Sequence, residues 1–210
     1  MTAADWDAVA LSLRVAVAAT ALALVPGVGA GWWLARATTR WKGLVELAVL
    51  LPLVLPPVVT GYALLVLLPR GVTFSWVAAV LASAVVGFPL LVQAVRVGVE
   101  AVDPDLMRAA YVDGAGRWAA FRHVALPLTV PAVAAGAAIH FARALGEFGA
   151  TIVVAGNIPG RTQTLPLALY TRLNQVGGEA AAFRLALVAV AVAGASLLAY
   201  RWLLRRRTAV

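Results

Sequence analysis

An all-α integral membrane protein with about five transmembrane helices is predicted by three features of this sequence. Hydrophobic residues make up 63% of it and charged residues 12%, and its mean hydropathy is +0.92. A soluble domain carries about 45–50% apolar and roughly 25% charged residues, so this surface is not built for water. The apolar residues are gathered into runs of ~20 or more, the length a helix needs to cross ~30 Å of hydrocarbon. These runs do not alternate with a period of two. That removes a transmembrane β-barrel and leaves helices as the way to satisfy every backbone group in the bilayer.

Taken in order, the first span covers roughly residues 8–35, preceded by "MTAADWDAVA". Asp5 and Asp7 with no early Lys or Arg make a poor signal-peptide start, so this stretch is expected to stay in the mature protein. Gly27 and Gly31 form a small-xxx-small pair of the kind that lets helices approach closely. In a chain this rich in Ala and Gly, incidental spacing is the more economical reading. The second span, roughly 44–69, contains "LPLVLPP" and then Gly61; Pro52, Pro56 and Pro57 remove amide donors and interrupt it. Either ordinary kinking or a pathway helix with irregular backbone fits that pattern. The third span covers roughly 73–99, the fourth 126–155 and the fifth 181–204, giving a single transmembrane domain over residues 1–210. Residues 156–180 form a loop whose "LPLALYTRL" is too short to span and reads as a short amphipathic or re-entrant helix between Pro166 and Gly177–Gly178.

Lys and Arg set the orientation. With the N-terminus outside, the inner side holds Arg36, Arg40, Lys42, Arg96, Arg108, Arg117, Arg122, Arg201, Arg205, Arg206 and Arg207, and the outer side Arg70, Arg161, Arg172 and Arg184. Eleven against four is a positive-inside bias that places the C-terminus in the cytoplasm. The same bias accounts for the net charge of +8 through basic inner loops that favour anionic lipid, with no need of nucleic acid.

Between the third and fourth spans, residues 100–125 are unusually polar. Asp103 is a good N-cap, Pro104 suits the first helical position and Asp105 complements the helix dipole. Leu106, Ala109 and Ala110 give an apolar side; Gly114 and Gly116 stop or bend the helix. "RWAAFRHVALPL" then reads as a second short helix with Trp118 and Phe121 on its apolar face, and Pro127 marks the return into the membrane. Two roles fit this helix-turn-helix: an interfacial anchor among headgroups, or a docking surface for a cytoplasmic protein.

The stretch "AAYVDGAGRWAAFRHVALPL" resembles the cytoplasmic "EAA" loop of ABC-importer permeases, at Ala109, Ala110, Gly114, Leu126 and Pro127. The family's leading Glu falls at Arg108, a reversal of charge. "FARALGEFGATIVVAGNIPGRTQTLPLALYT" and "LPLVLPPVVTGYALLVLL" are similar to the molybdate-type permease subunit, with a related stretch in sulfate and thiosulfate permeases. The resemblance covers roughly residues 8–205. It implies type I ABC-importer permease architecture and an oxyanion substrate, molybdate first, with tungstate and sulfate or thiosulfate as alternatives. It further implies a second copy of this chain, two cytoplasmic ATPase subunits that hold the ATP and Mg, and an external oxyanion-binding protein. Residues 104–125 would then couple the spans to the ATPases, with Ala109, Ala110, Asp113, Gly114, Trp118, Phe121, Leu126 and Pro127 as the coupling residues.

Polar groups within the spans are the remaining candidates. Arg143 and Glu147, four apart, share a helical face; a self-neutralising structural pair and a gate or pathway role both fit. His140 suits a helix–helix hydrogen bond or a binding role. Thr60, Thr151 and Asn157 offer neutral donors of the kind that hold oxyanions, although hydroxyls in spans also bond their own helix backbone. No G-x-x-x-x-G-K-[ST] occurs, and the single lysine, Lys42, sits in "RWKG". With no cysteine, no metal-ligand spacing and no nucleophile–base pair, the chain is expected to be a transport subunit without cofactor or catalytic site. An ion-driven secondary transporter and a non-transport scaffold are the rival readings; the first predicts inverted repeats, and none is evident.

Overall fold

The computed structural model describes the backbone of residues 1–205, with side chains through Ser196 and at Leu198. Arg206 and Arg207 and the side chains of Arg201 and Arg205 therefore lie outside the described residues. The described residues are all helix and connection. Helix α1 (Ala3–Arg36) starts on a capping box, in which the Thr2 hydroxyl accepts from the Asp5 amide and the Asp5 carboxylate accepts from the Thr2 amide. Its 34 residues run ~51 Å, longer than the hydrocarbon core.

The second apolar stretch is two helices, α2 (Lys42–Val54) and α3 (Pro57–Leu67), inclined at 111°. Neither crosses a bilayer alone. The break follows from chemistry: Pro56 and Pro57 bring no amide hydrogen, Leu55 before them is extended, and Pro57 begins α3 where a missing donor costs nothing. Helix α4 (Trp76–Glu100) begins on Ser75, whose hydroxyl accepts from the Ala78 amide.

After α5 (Pro104–Val112) the chain differs from the sequence reading. Residues 117–125 are not a separate short helix. They are the first turns of a helical rod running without interruption from Arg117 to Leu145, made of α6 (Arg117–Ala120), a π-helical turn (Phe121–Ala125) and α7 (Leu126–Leu145). The Leu126 amide bonds back to the Phe121 carbonyl, one residue further than in an α-helix. This wider turn lets Pro127, which has no amide and would crowd the preceding turn, continue the helix instead of starting it. The fourth stretch then breaks at Gly146–Phe148 and resumes as α8 (Gly149–Val154). Helix α9 (Leu165–Leu173) occupies the long loop, and α10 (Glu179–Arg205) completes the chain.

Small residues let the helices approach. The core of α1, α4, α7 and α8 is built from Ala16, Ala19, Ala78, Ala79, Ala82, Ala144 and Ala150 with Val15, Val86 and Val154. Gly27 and Gly31 are not incidental. A methyl group on Gly31 would fall 2.7 Å from the Val92 carbonyl oxygen, and one on Gly27 would fall 2.5 Å from Leu91. The tightest backbone approach among the broken helices is at Gly61, where a methyl would lie 2.6 Å from the Ala150 carbonyl oxygen and 2.8 Å from its Cα. Backbone atoms cannot rotate aside. Gly61→Ala is therefore expected to cost ~1–3 kcal/mol, read as a lower thermal midpoint in detergent. Gly43→Ala, with open space around it, should leave the midpoint unchanged or slightly raised.

The two ends of the bundle differ. At one, Arg96 on α4 reaches Glu46 on α2 at 2.5 Å and Glu100 at 2.8 Å, while Trp32 near the end of α1 meets Phe121. At the other, Arg172 on α9 pairs with Asp5 at 2.9 Å, the Leu165 amide donates to Ser12, and the Phe74 amide donates to the Val154 carbonyl. The first end thus carries Arg36, Arg40, Lys42, Arg96, Arg108, Arg117 and Arg122, the same end as α5.

Candidate functional site

Helix α5 stands off the bundle, and none of its residues is buried. Local chemistry holds it: Asp103 accepts from the Asp105 amide at 2.8 Å, Pro104 occupies the first position, and Arg108 pairs with Asp105 at 2.6 Å. Its end is a Schellman cap. Gly114 has φ +85°, its amide donates to the Tyr111 carbonyl, and the Ala115 amide donates to Ala110 at 2.9 Å. Only glycine takes that conformation without strain, so Gly114 fixes where α5 stops.

The structure separates the paired alanines. Ala109 is exposed on one face with Leu106, Val112 and Asp113, whereas Ala110 is half-buried with Met107 on the other. The outward face is small and apolar, and Val112 is 86% exposed. Behind it an aromatic ladder ties the segment down. Trp118 stacks on Phe121 at 5.2 Å between centroids, and Phe121 meets the Trp32 ring edge-on at 4.9 Å. Trp118 is nonetheless exposed, as are Leu126 and Pro127 at the start of α7.

The polar candidates fall in three places. Arg143, Glu147, Thr151 and Thr60 sit at the junction of α3, α7 and α8. Glu147 occupies the break between α7 and α8 and is 2% exposed. One carboxylate oxygen accepts from the Ala150 amide at 2.7 Å, which caps α8. The Arg143 guanidinium lies 2.7 Å from the other oxygen, an ion pair without hydrogen-bond alignment. Thr60 and Thr151 are buried on α3 and α8, and neither hydroxyl has a hydrogen-bond partner. Buried polar groups are normally paired, so these two hydroxyls stand out among the described residues of the spans, beside the Glu147 oxygen that faces Arg143.

His140 lies elsewhere, fully buried where α1, α4 and α7 meet. Its Nε2 is 3.2 Å from the Ala84 carbonyl and its Nδ1 3.0 Å from the Thr20 hydroxyl. A carbonyl only accepts, so Nε2 carries the proton and donates. Gly87 makes room for the ring, since a methyl there would fall 2.8 Å from it. Asn157 belongs to the long loop. Its amide donates to Thr171 at 2.9 Å, and its oxygen accepts from Gln163 at 2.9 Å. Sequence reasoning missed the partners Thr20, Thr171 and Trp32, which lie on different elements from the groups they serve, and Gln163, which meets Asn157 only because the connection between α8 and α9 folds back on itself. No cluster of His, Cys, Asp or Glu able to hold a metal ion occurs among the described residues.

Comparison with known proteins bears on this arrangement. Residues 27–209 match the model of the binding-protein-dependent transport system inner membrane component. The chain is 47% identical over 219 aligned positions to the molybdenum transport system permease protein ModB of Escherichia coli strain K12, covering 98% of this chain and 96% of that one. It is 45% identical to the Haemophilus influenzae protein of the same name, covering 96% and 94%. In three dimensions it matches the crystal structure of an amino acid ABC transporter with histidines at TM-score 0.74 and 16% identity, covering 97% and 94% of the two chains. It also matches a bacterial ABC transporter involved in import of the acidic polysaccharide alginate at TM-score 0.75 and 15% identity, covering 98% and 80%. Those two likenesses establish a shared fold, that of ABC transporter permeases. By the match of sequence over nearly its whole length, the chain belongs to the family of binding-protein-dependent transport system inner membrane components, and is a multi-pass membrane permease.

Proposed function

We propose that this chain is the membrane-spanning subunit of an ATP-driven importer for molybdate, received from an external binding protein. The observation that carries this reading is the 47% identity, over 98% of the chain, to a permease named for molybdenum transport. In this reading the N-terminus is outside, the C-terminus is cytoplasmic, and α5 faces the cell interior. The positive-inside rule supports that orientation, because the basic groups collect at the α5 end. ATP and Mg belong to two separate ATPase subunits, which dock on the face made by Leu106, Ala109, Val112 and Asp113.

A second copy of this chain completes the path. Helix α2 supports that, since none of its 13 residues is buried and Leu44, Leu47, Leu51 and Leu53 are exposed. Between the copies, the α3–α8 junction supplies the polar groups. The unpaired hydroxyls of Thr60 and Thr151 are neutral donors suited to an oxyanion, and Arg143 offsets the charge of Glu147. His140 and Asn157 act at a distance from that junction, holding helices and the outer loop in place.

Nucleotide binding drives nothing unless it favours one state of the spans over another. The rod from Arg117 to Leu145 gives that difference a mechanical route. A push on α5 reaches α6 through the Gly114–Gly116 turn and passes along one continuous helix to the break at Gly146–Phe148. The α8 segment beyond the break packs on α3, so the push ends at the two unpaired hydroxyls.

Reconstituted uptake tests the assignment. Molybdate accumulation in proteoliposomes is expected to require the ATPase, the binding protein and ATP together, and to survive a large excess of sulfate. Equal competition by sulfate would reassign the substrate. Collapse with a proton uncoupler at constant ATP would instead make the chain a secondary transporter.

A further inference from the structure

The α5 end of the bundle carries a groove that the transport reading does not use. It has a volume of about 680 Å³ and opens between α1, α4 and the start of α7. That volume is within the ~300–1,000 Å³ typical of ligand sites. Its inner part is aliphatic, lined by Val28, Val95 and Val133. Its middle is aromatic, with Trp32, Trp33 and Trp118. Its rim is polar: Arg36, Thr38 and Thr39 close it at the end of α1. Apolar depth, a Trp belt and a basic rim follow one another in the order a membrane presents to a protein.

Charge decides which lipid. No Asp or Glu lines the groove. Of the acidic side chains at this end, Glu46 and Glu100 are both held by Arg96 and Asp105 by Arg108, and the two without an ion pair among the described residues, Asp103 and Asp113, do not line the groove. Arg36 has no ion-pair partner among the described residues; its guanidinium lies 5.9 Å from the Trp32 ring centroid, the outer reach of a cation–π contact. Arg40 and Lys42, likewise without ion-pair partners among the described residues, follow within six positions. Basic pockets between membrane helices attract anionic headgroups.

We propose that this groove is a binding site for one anionic phospholipid, with an acyl chain against Val28, Val95 and Val133 and the phosphate at Arg36, Thr38 and Thr39. Its aromatic wall is the ladder Trp32–Phe121–Trp118, so the bound lipid packs directly against the segment that carries α5.

Native mass spectrometry of the detergent-solubilised full chain tests this, with phosphatidylglycerol and phosphatidylcholine of matched acyl chains offered together. Wild type is expected to retain one phosphatidylglycerol about fivefold over phosphatidylcholine, and Arg36→Gln to lose that preference. Arg70→Gln, at the opposite end, should keep it and serves as the control for overall charge. Val133→Trp, which fills the aliphatic part, should lower retention of both lipids. Equal retention of the two lipids by wild type, or an unchanged preference in Arg36→Gln, overturns the site. Retention in wild type of a co-purifying polypeptide in place of lipid overturns it equally.

Discussion

Ala109→Trp is expected to abolish ATP-dependent uptake while leaving the spans folded. Ala109 is exposed at the centre of the outward face of α5, flanked by Leu106 and Val112, and the helix beneath it is held by its own caps. An indole there projects from the proposed docking surface, away from the bundle. Obstructing the centre of an interface removes about 2 kcal/mol or more, so association with the ATPase should weaken roughly thirtyfold or more. Co-purification with the ATPase and thermal stability in detergent are the two readouts, and the first should fall while the second holds. Ala109→Ser should behave as wild type. Ala110→Trp is a poorer probe of docking, since Ala110 is half-buried and its carbonyl receives the Ala115 amide. Normal uptake by Ala109→Trp would show that the ATPase docks elsewhere.

Arg143→Ala should be the most damaging change within the spans. It leaves the Glu147 carboxylate, 1% exposed in its side chain, without its counter-charge. Removing one partner of a buried ion pair costs about 3–5 kcal/mol. The expected result is a large drop in thermal midpoint together with lost uptake. Adding Glu147→Gln should restore much of the stability, because glutamine keeps an oxygen for the Ala150 amide and carries no charge. If the double variant is no more stable than the single one, the damage does not come from an uncompensated charge. If it is stable yet inactive, Arg143 acts on the substrate path as well as on the fold.

How much of this was readable beforehand depended on the range of the interaction. Apolar runs declare helices because burial in lipid is a property of each residue and its near neighbours. The caps of α5 were equally local: Asp103 and Pro104 announce a start, and Gly114 an end, whereas the Thr2–Asp5 capping box that starts α1 five residues before the expected span went unread. Pro56 and Pro57 showed that the second stretch is interrupted, but not that its halves meet at 111°, an angle set by α3 packing on α8. The π-helical turn at Phe121–Ala125 left no signature beyond Pro127, and a proline usually suggests a start, which is why Arg117–Ala125 read as a separate helix.

Long-range pairs were the least legible part. Arg143 and Glu147 could be paired from their spacing, whereas the capping of α8 by Glu147 required knowing that the chain breaks between them and Gly149. Thr20 and His140 are 120 positions apart, and nothing local links them. Gly27 and Gly31 had a recognisable spacing, yet only the position of α4 shows that both are required for contact.

If α5 lies inside the cell beneath an ATPase, as proposed, one engineered cysteine will report it. The chain contains no cysteine, so Val112→Cys, at a site 86% exposed, gives a single reporter. A membrane-impermeant thiol reagent applied to intact cells should not reach it. In inside-out vesicles the same reagent should label it, and co-expression of the ATPase should block that labelling. Labelling from the outside of intact cells, or labelling in inverted vesicles that the ATPase leaves unchanged, would place α5 away from an internal ATPase.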